Sequence, residues 1–217
     1  MKKFFRILLA LYLVTSPILI VFLVYKTIFL TAKIFEFQGA LLSKDAVSTY
    51  PMEAIQTAFA PHIGLPEAPV KVFWYTDLDC VACRQSFQDI LDICQAYPEE
   101  VVVFVKFLPS VNEYTMRAHR LLLYAWLKGR FLEVAGQLFT DEASGRLTEL
   151  RQWEESLMFP NNPGAADSYS QLLDKNLSEF QTLGTFSTPT MVVNGSVWRG
   201  WDKARLLAEI QTSLAPN

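Results

Sequence analysis

VKVFWYTDLDCVACR, residues 70–84, reads as a strand, a short acidic turn and two cysteines at the mouth of a helix. Val70 to Thr76 is rich in β-branched and aromatic side chains and carries a single charge, Lys71, as expected of a strand covered on both faces and central in a sheet. Beyond Cys83, the residues Phe87, Ile90, Leu91 and Cys94 recur at helical spacing until Tyr97-Pro98 ends the run. Val101 to Leu108 is a second apolar strand, stopped at Pro109. A strand, a crossover helix and a strand in this order imply parallel pairing.

Helical patterns follow over 114–128, 130–139, 147–158 and 166–183, punctuated by Gly129, Ser144-Gly145, Asn161-Asn162-Pro163-Gly164 and Gly184. They form a helical insertion from about 113 to 183. The sheet is expected to resume with Thr190 to Val193, turn at Asn194-Gly195 and return through Ser196 to Arg199, because an Asn-Gly pair between two β-rich runs is a strong hairpin signal. Asp202 can cap a last helix with Leu206, Leu207, Ile210 and Leu214 on its apolar face.

Cysteines at i and i+3 in the first turn of a helix can close a small disulfide and reopen it without unfolding anything. Cys80 at the helix start would have its thiolate stabilised by unpaired backbone N–H groups and the helix dipole, so it is the candidate nucleophile. Cys83 is then the resolving thiol. Asp77 and Asp79 lie in the preceding turn and oppose a developing thiolate by like charge. Cys94 lies about 16 Å along the helix axis from Cys83 at the usual rise, too far to pair, and reads as a small core residue.

The remaining features bound the setting. The chain has 217 residues, about half of them apolar, and a net charge of only -3, which fits one ordinary domain with an appendage and gives no support for a nucleic-acid surface. Its three cysteines are too few for a disulfide scaffold. Ile7 to Tyr25 is free of charged side chains and follows Lys2, Lys3 and Arg6. At about 1.5 Å per residue it can span a bilayer with the amino terminus in the cytoplasm. An uncleaved transmembrane anchor over 1–32 is favoured over a cleaved signal peptide, whose apolar run is shorter. Residues 33–69 read as a stalk and a proline-stiffened linker, with Pro61, Pro66 and Pro69 marking the boundary of a domain over 70–217.

The order of strand, CxxC at a helix start, strand, helical insertion, then Thr188-Pro189-Thr190 before a hairpin and a terminal helix resembles the DsbA-like branch of the thioredoxin superfamily. The resemblance covers about Val70 to Leu214. It implies an α/β thioredoxin-like fold, thiol:disulfide exchange on exported or membrane proteins, and no cofactor. It further implies a cis Thr188-Pro189 bond facing the cysteines, with Thr188 and Pro189 beside the bound client chain. With the anchor, the expected place is a bacterial inner membrane, with the catalytic domain in the periplasm and a membrane redox partner recharging the CxxC. The dipeptide Val81-Ala82 matches neither the proline-histidine of oxidising members nor the glycine-proline of reducing ones, so oxidase, reductase and isomerase stay open. Trp74 stands where many relatives carry a buried acid, and Lys106 reads as an edge lysine at a strand end.

Two other functions compete. A CxxC can hold Cu(I) with two thiolates, although His62, in the linker, and His119, expected to face solvent, lack metal-ligand spacing. The fold could also serve a non-catalytic envelope protein with a locked structural disulfide.

Overall fold

A computed structural model describes Lys26 and residues 48–140, 146–160 and 163–215. The expected membrane span lies outside the described residues, and among the described residues no helix is long and apolar enough to cross a membrane.

Six strands form one sheet: β1 (Ser48–Thr49), β2 (His62–Ile63), β3 (Val70–Thr76), β4 (Val101–Phe107), β5 (Thr190–Val193) and β6 (Ser196–Arg199). Their order across the sheet is β1-β6-β5-β3-β4-β2. β3 and β4 run parallel, with Val70 opposite Val101 and Thr76 opposite Phe107, and the other pairs are antiparallel. The helix α1 (Val81–Ala96) makes the crossover between the parallel strands. Four helices then follow: α2 (Glu113–Leu127), α3 (Phe131–Thr140), α4 (Arg146–Ser156) and α5 (Pro163–Thr182). After the β5–β6 hairpin, α6 (Lys203–Leu214) closes the fold, capped as expected by Asp202, whose side chain accepts from the Arg205 amide.

The period of two along β3 divides its side chains between two cores. Val72 and Trp74 join Val103 and Val105 of β4 in a large core with Phe87 and Ile90 of α1, Leu121 and Leu122 of α2, Phe139 of α3 and Leu206 and Ile210 of α6. Phe73 and Tyr75 face the other way, with Val102, Phe104 and Val192, and are covered by Phe180 of α5 together with Leu183, Ile55 and Ala60. Both faces of the central strand are therefore buried, which is why its sequence is apolar at nearly every position.

Three expectations need correction. The sheet reaches back beyond Pro61, since β1 and β2 come from residues assigned to the stalk and linker, and Ile55 and Ala60 are buried beneath the sheet. Proline spacing marked loops inside the domain here, because short edge strands carry too few residues to show a pattern. His62 consequently belongs to β2, its ring 4.3 Å from that of Trp126 in an edge-on contact. Lys106 is not an edge residue: it is 2% exposed, paired with Glu179 of α5 at 3.0 Å, and donates to the Gln56 carbonyl. Cys94 is buried as expected. Burial pushes its thiol up to about 12.

Candidate redox site

Cys80 is the residue that caps α1. Its backbone is extended (φ -82°, ψ 114°) and its sulfur accepts the Cys83 amide at 3.3 Å, the position a serine or aspartate oxygen usually takes at a helix start. The sulfur is half-buried, while that of Cys83, one turn on, is inside the core. From the far end of the fold, the loop before β5 brings in Thr188, whose carbonyl accepts the Cys80 thiol at 3.3 Å. The Thr188-Pro189 bond is cis, as the resemblance implied. Cys80 thus meets Thr188, which adjoins Pro189, from 108 residues away.

The two thiols are driven apart in acidity. A hydrogen bond from the Cys83 thiol stabilises the Cys80 thiolate most, helped by the Thr188 side-chain hydroxyl and by the backbone N–H groups of Cys83 and Ala82, and the Cys80 thiol is held at about 6 although burial opposes this. The Cys83 thiol moves far above the ordinary range, chiefly because it is buried and then because its proton is held by Cys80. A nucleophile exposed as a thiolate, beside a neutral thiol in reserve, is the arrangement that stepwise exchange requires.

The acidic turn is also settled. Burial pushes the Asp77 carboxyl up to about 6, and the neighbouring charges of Asp79 and Cys80 push the same way against the Asp79 amide, which donates to Asp77 Oδ1 at 2.9 Å. The Ser110 hydroxyl donates to Asp79 Oδ2 at 3.2 Å, joining the turn to the loop after β4. Arg84 Nη1 donates to the Leu78 carbonyl at 2.6 Å. The floor is apolar: Trp74 lies over Phe87, which stacks on Phe139 with centroids 4.6 Å apart and planes 8° apart.

His119, expected in solvent, is completely buried in α2. Its Nε2 accepts the Leu78 amide at 3.2 Å, and its ring stacks on Phe107 at 5.0 Å. The helical spacing of α2 left its orientation ambiguous, because this helix is buried over more than one stripe. Ser110 and Arg84 carried no sequence signal for a place at the site either. Their contacts arise only from packing.

Residues 56–212 match the family model described as Thioredoxin. The chain belongs to the thioredoxin family. No curated protein matches its sequence. Among solved structures, Proteus mirabilis ScsC in a compact conformation superposes with a TM-score of 0.66 at 22% identity, covering 89% of this chain and 93% of that one. A periplasmic thioredoxin-like protein from Salmonella enterica serovar Typhimurium gives 0.64 at 22% identity, over 73% and 91% of the two chains. Oxidised BdbD from Bacillus subtilis gives 0.63 at 19% identity, over 78% and 98%. These structures share the fold of this chain.

The acidity of Cys80 has a direct readout. Its alkylation by iodoacetamide is expected to rise about tenfold per pH unit below about 6 and level off above 7, followed on the Cys80 peptide by mass spectrometry. An ordinary thiol keeps climbing toward its pKa of about 8.5. Because this acid is depressed in the folded state, its contribution to the stability of the reduced protein is complete above the unfolded thiol's pKa and disappears as pH falls through about 6. A rate still rising tenfold per unit at pH 8 would remove the low-pKa assignment.

Proposed function

We propose that the protein is a thiol:disulfide oxidoreductase of exported or membrane proteins, with Cys80 as nucleophile, Cys83 as resolving thiol, and Thr188 and Pro189 beside the bound client. The observation that carries this reading is the Cys80 sulfur, half-buried at the head of α1 and within 3.3 Å of both the Cys83 amide and the Thr188 carbonyl. The Cys80 thiolate attacks a client disulfide, forming the Cys80–client bond and releasing the second client sulfur as a thiolate that takes up a proton. Cys83 then loses its proton and attacks Cys80, releasing the first client sulfur and leaving a Cys80–Cys83 disulfide. Oxidation of a client dithiol runs these steps in reverse. In this reading, residues 1–32 tether the domain to a bacterial inner membrane on its periplasmic side, and a membrane redox partner returns the pair to its working state.

A low thiolate pKa stabilises the reduced state and makes the disulfide a better oxidant. The decisive experiment is the equilibrium reduction potential of the pair against glutathione. A value toward about -120 mV marks a disulfide donor and one near about -270 mV a reductase or isomerase, whereas no exchange at all refutes the proposal.

Client binding is supported by exposed apolar side chains that neighbour the site residues in the chain. Val81 adjoins Cys80, Val111 follows the Ser110 that contacts Asp79, and Phe186 stands just before Thr188; all three are well exposed. Such side chains suit extended, unfolded polypeptide. Phe186→Ser is expected to raise KM for an unfolded client several-fold while leaving kcat within about twofold. An unchanged KM would remove Phe186 from the client site.

A further inference from the structure

We propose that His119 is a positioning residue for the redox site, its buried imidazole fixing the turn from Asp77 to Cys80 through the Leu78 amide. The inference rests on reading Cys80 as the exchanging sulfur. The turn must hold that sulfur against both the Cys83 amide and the Thr188 carbonyl, and its backbone is tied at each step. The Cys80 amide donates to the Asp77 carbonyl at 3.1 Å, the Asp79 amide to Asp77 Oδ1 at 2.9 Å, and the Leu78 carbonyl accepts from Arg84. These ties arise within residues 77–84. The Leu78 amide is held from outside, by His119 Nε2 on the helical insertion.

Leu78 is itself buried, so water is a poor substitute for that acceptor. Because Nε2 accepts a backbone N–H, it carries no proton, and the imidazole proton sits on Nδ1, which makes no hydrogen bond of good geometry. Burial holds the ring's pKa down at about 4, so it stays a neutral acceptor wherever Cys80 is a thiolate. Asp77 Oδ1 lies 3.7 Å from the same nitrogen, too far for a hydrogen bond. His119 therefore acts on the backbone of the turn, while Asp77, Asp79 and Arg84 are the charged groups whose distance from the sulfur the turn controls. The thioredoxin core and the inserted helices meet at this bond.

The test compares His119→Gln, His119→Asn and His119→Leu in the full-length chain, following iodoacetamide alkylation of Cys80 against pH by mass spectrometry. A glutamine amide oxygen can take the place of Nε2, whereas asparagine falls short and leucine has no acceptor. The asparagine and leucine variants are expected to move the Cys80 midpoint up by about one pH unit and to slow alkylation about fivefold at pH 6, with glutamine close to the parent. Phe107→Leu alters the packing on the His119 ring but leaves its acceptor nitrogen in place, and is expected to leave the midpoint unchanged. Parent-like midpoints in both the asparagine and leucine variants, even with reduced stability, or an equal shift in Phe107→Leu, would overturn the proposal. If the leucine variant does not fold, the asparagine-against-glutamine difference decides. Alkylation requires no disulfide exchange, so an inactive parent would refute the oxidoreductase reading separately.

Discussion

Replacing Cys80 with serine is expected to abolish disulfide exchange, and replacing Cys83 with alanine to trap the protein on its clients after a first attack slowed at low pH by loss of the thiol that most stabilises the Cys80 thiolate. The Cys80 sulfur is the partly accessible one and its thiol is lowered to about 6, so under the proposal it is the sulfur that attacks at neutral pH. A serine hydroxyl at the same helix start could still accept the Cys83 amide, and the cap would survive, but it offers no thiolate. The loss should be at least about 10³-fold, to the uncatalysed background. Cys83 is buried and keeps its proton, so it cannot substitute as the attacking group. Without it, the mixed disulfide at Cys80 has no internal thiol to resolve it. Exchange with a disulfide-bonded peptide measures the first variant, and non-reducing electrophoresis followed by mass spectrometry the second. Normal turnover in Cys80→Ser, or trapping through Cys83 in its place, would reverse the assignment of the two sulfurs.

The largest stability effect is expected on the opposite face of the sheet. Tyr75 and Lys106 are register neighbours on β3 and β4 and reach Glu179 of α5 together. The Tyr75 hydroxyl donates to Oε1 at 2.5 Å, Lys106 Nζ lies 3.0 Å from the same oxygen, and the Gln56 amide donates to Oε2 at 2.9 Å. Glu179→Ala would strand an ammonium inside the protein along with the Tyr75 hydroxyl. Breaking a buried pair from one side costs about 3–5 kcal/mol. Exchanging both partners, as in Lys106→Met with Glu179→Leu, should recover most of the loss, because the buried charge then no longer needs compensation. Urea denaturation of the single and double variants measures this. A loss under about 1 kcal/mol in Glu179→Ala would mean that the lysine finds water or another carbonyl on its own. The cluster clamps α5 and the segment around Gln56 to the central strands, so exchange measured well below the unfolding transition should be little affected.

The same cluster shows why some of the fold could be read directly from the chain and some could not. Lys106 sits near the end of an apolar run, where a solvent-facing charge is the simplest reading. Only the path of the chain through the helical insertion carries Glu179 to it. His119 failed as an expectation for a related reason: α2 is buried over much of its surface, so helical spacing could not say which side meets solvent. The two-residue strands β1 and β2 were missed because no periodicity can be seen in two residues. By contrast, the limits of β3, α1, β4 and the β5–β6 hairpin were legible, since long apolar runs, Pro109, and the Asn194-Gly195 turn act over a few neighbouring residues.

What the sequence determined by itself at the candidate site was equally local. Two cysteines three apart, following a strand and opening an apolar-faced helix, suffice to place one sulfur at the helix start and the other one turn inside, because a single helical turn sets both positions. What only the tertiary structure decided were the partners that arrive from far along the chain: the Thr188 carbonyl, 108 residues from Cys80, and His119, 41 residues from Leu78. His119 has no local pattern that could announce it, and Thr188 was pointed to only through the resemblance carried by Thr188-Pro189-Thr190, not by any periodicity or spacing of the residues. Their meeting is set by the antiparallel pairing of β5 with β3 and by the packing of α2 over the end of β4, and both depend on how apolar surface is buried across the whole domain.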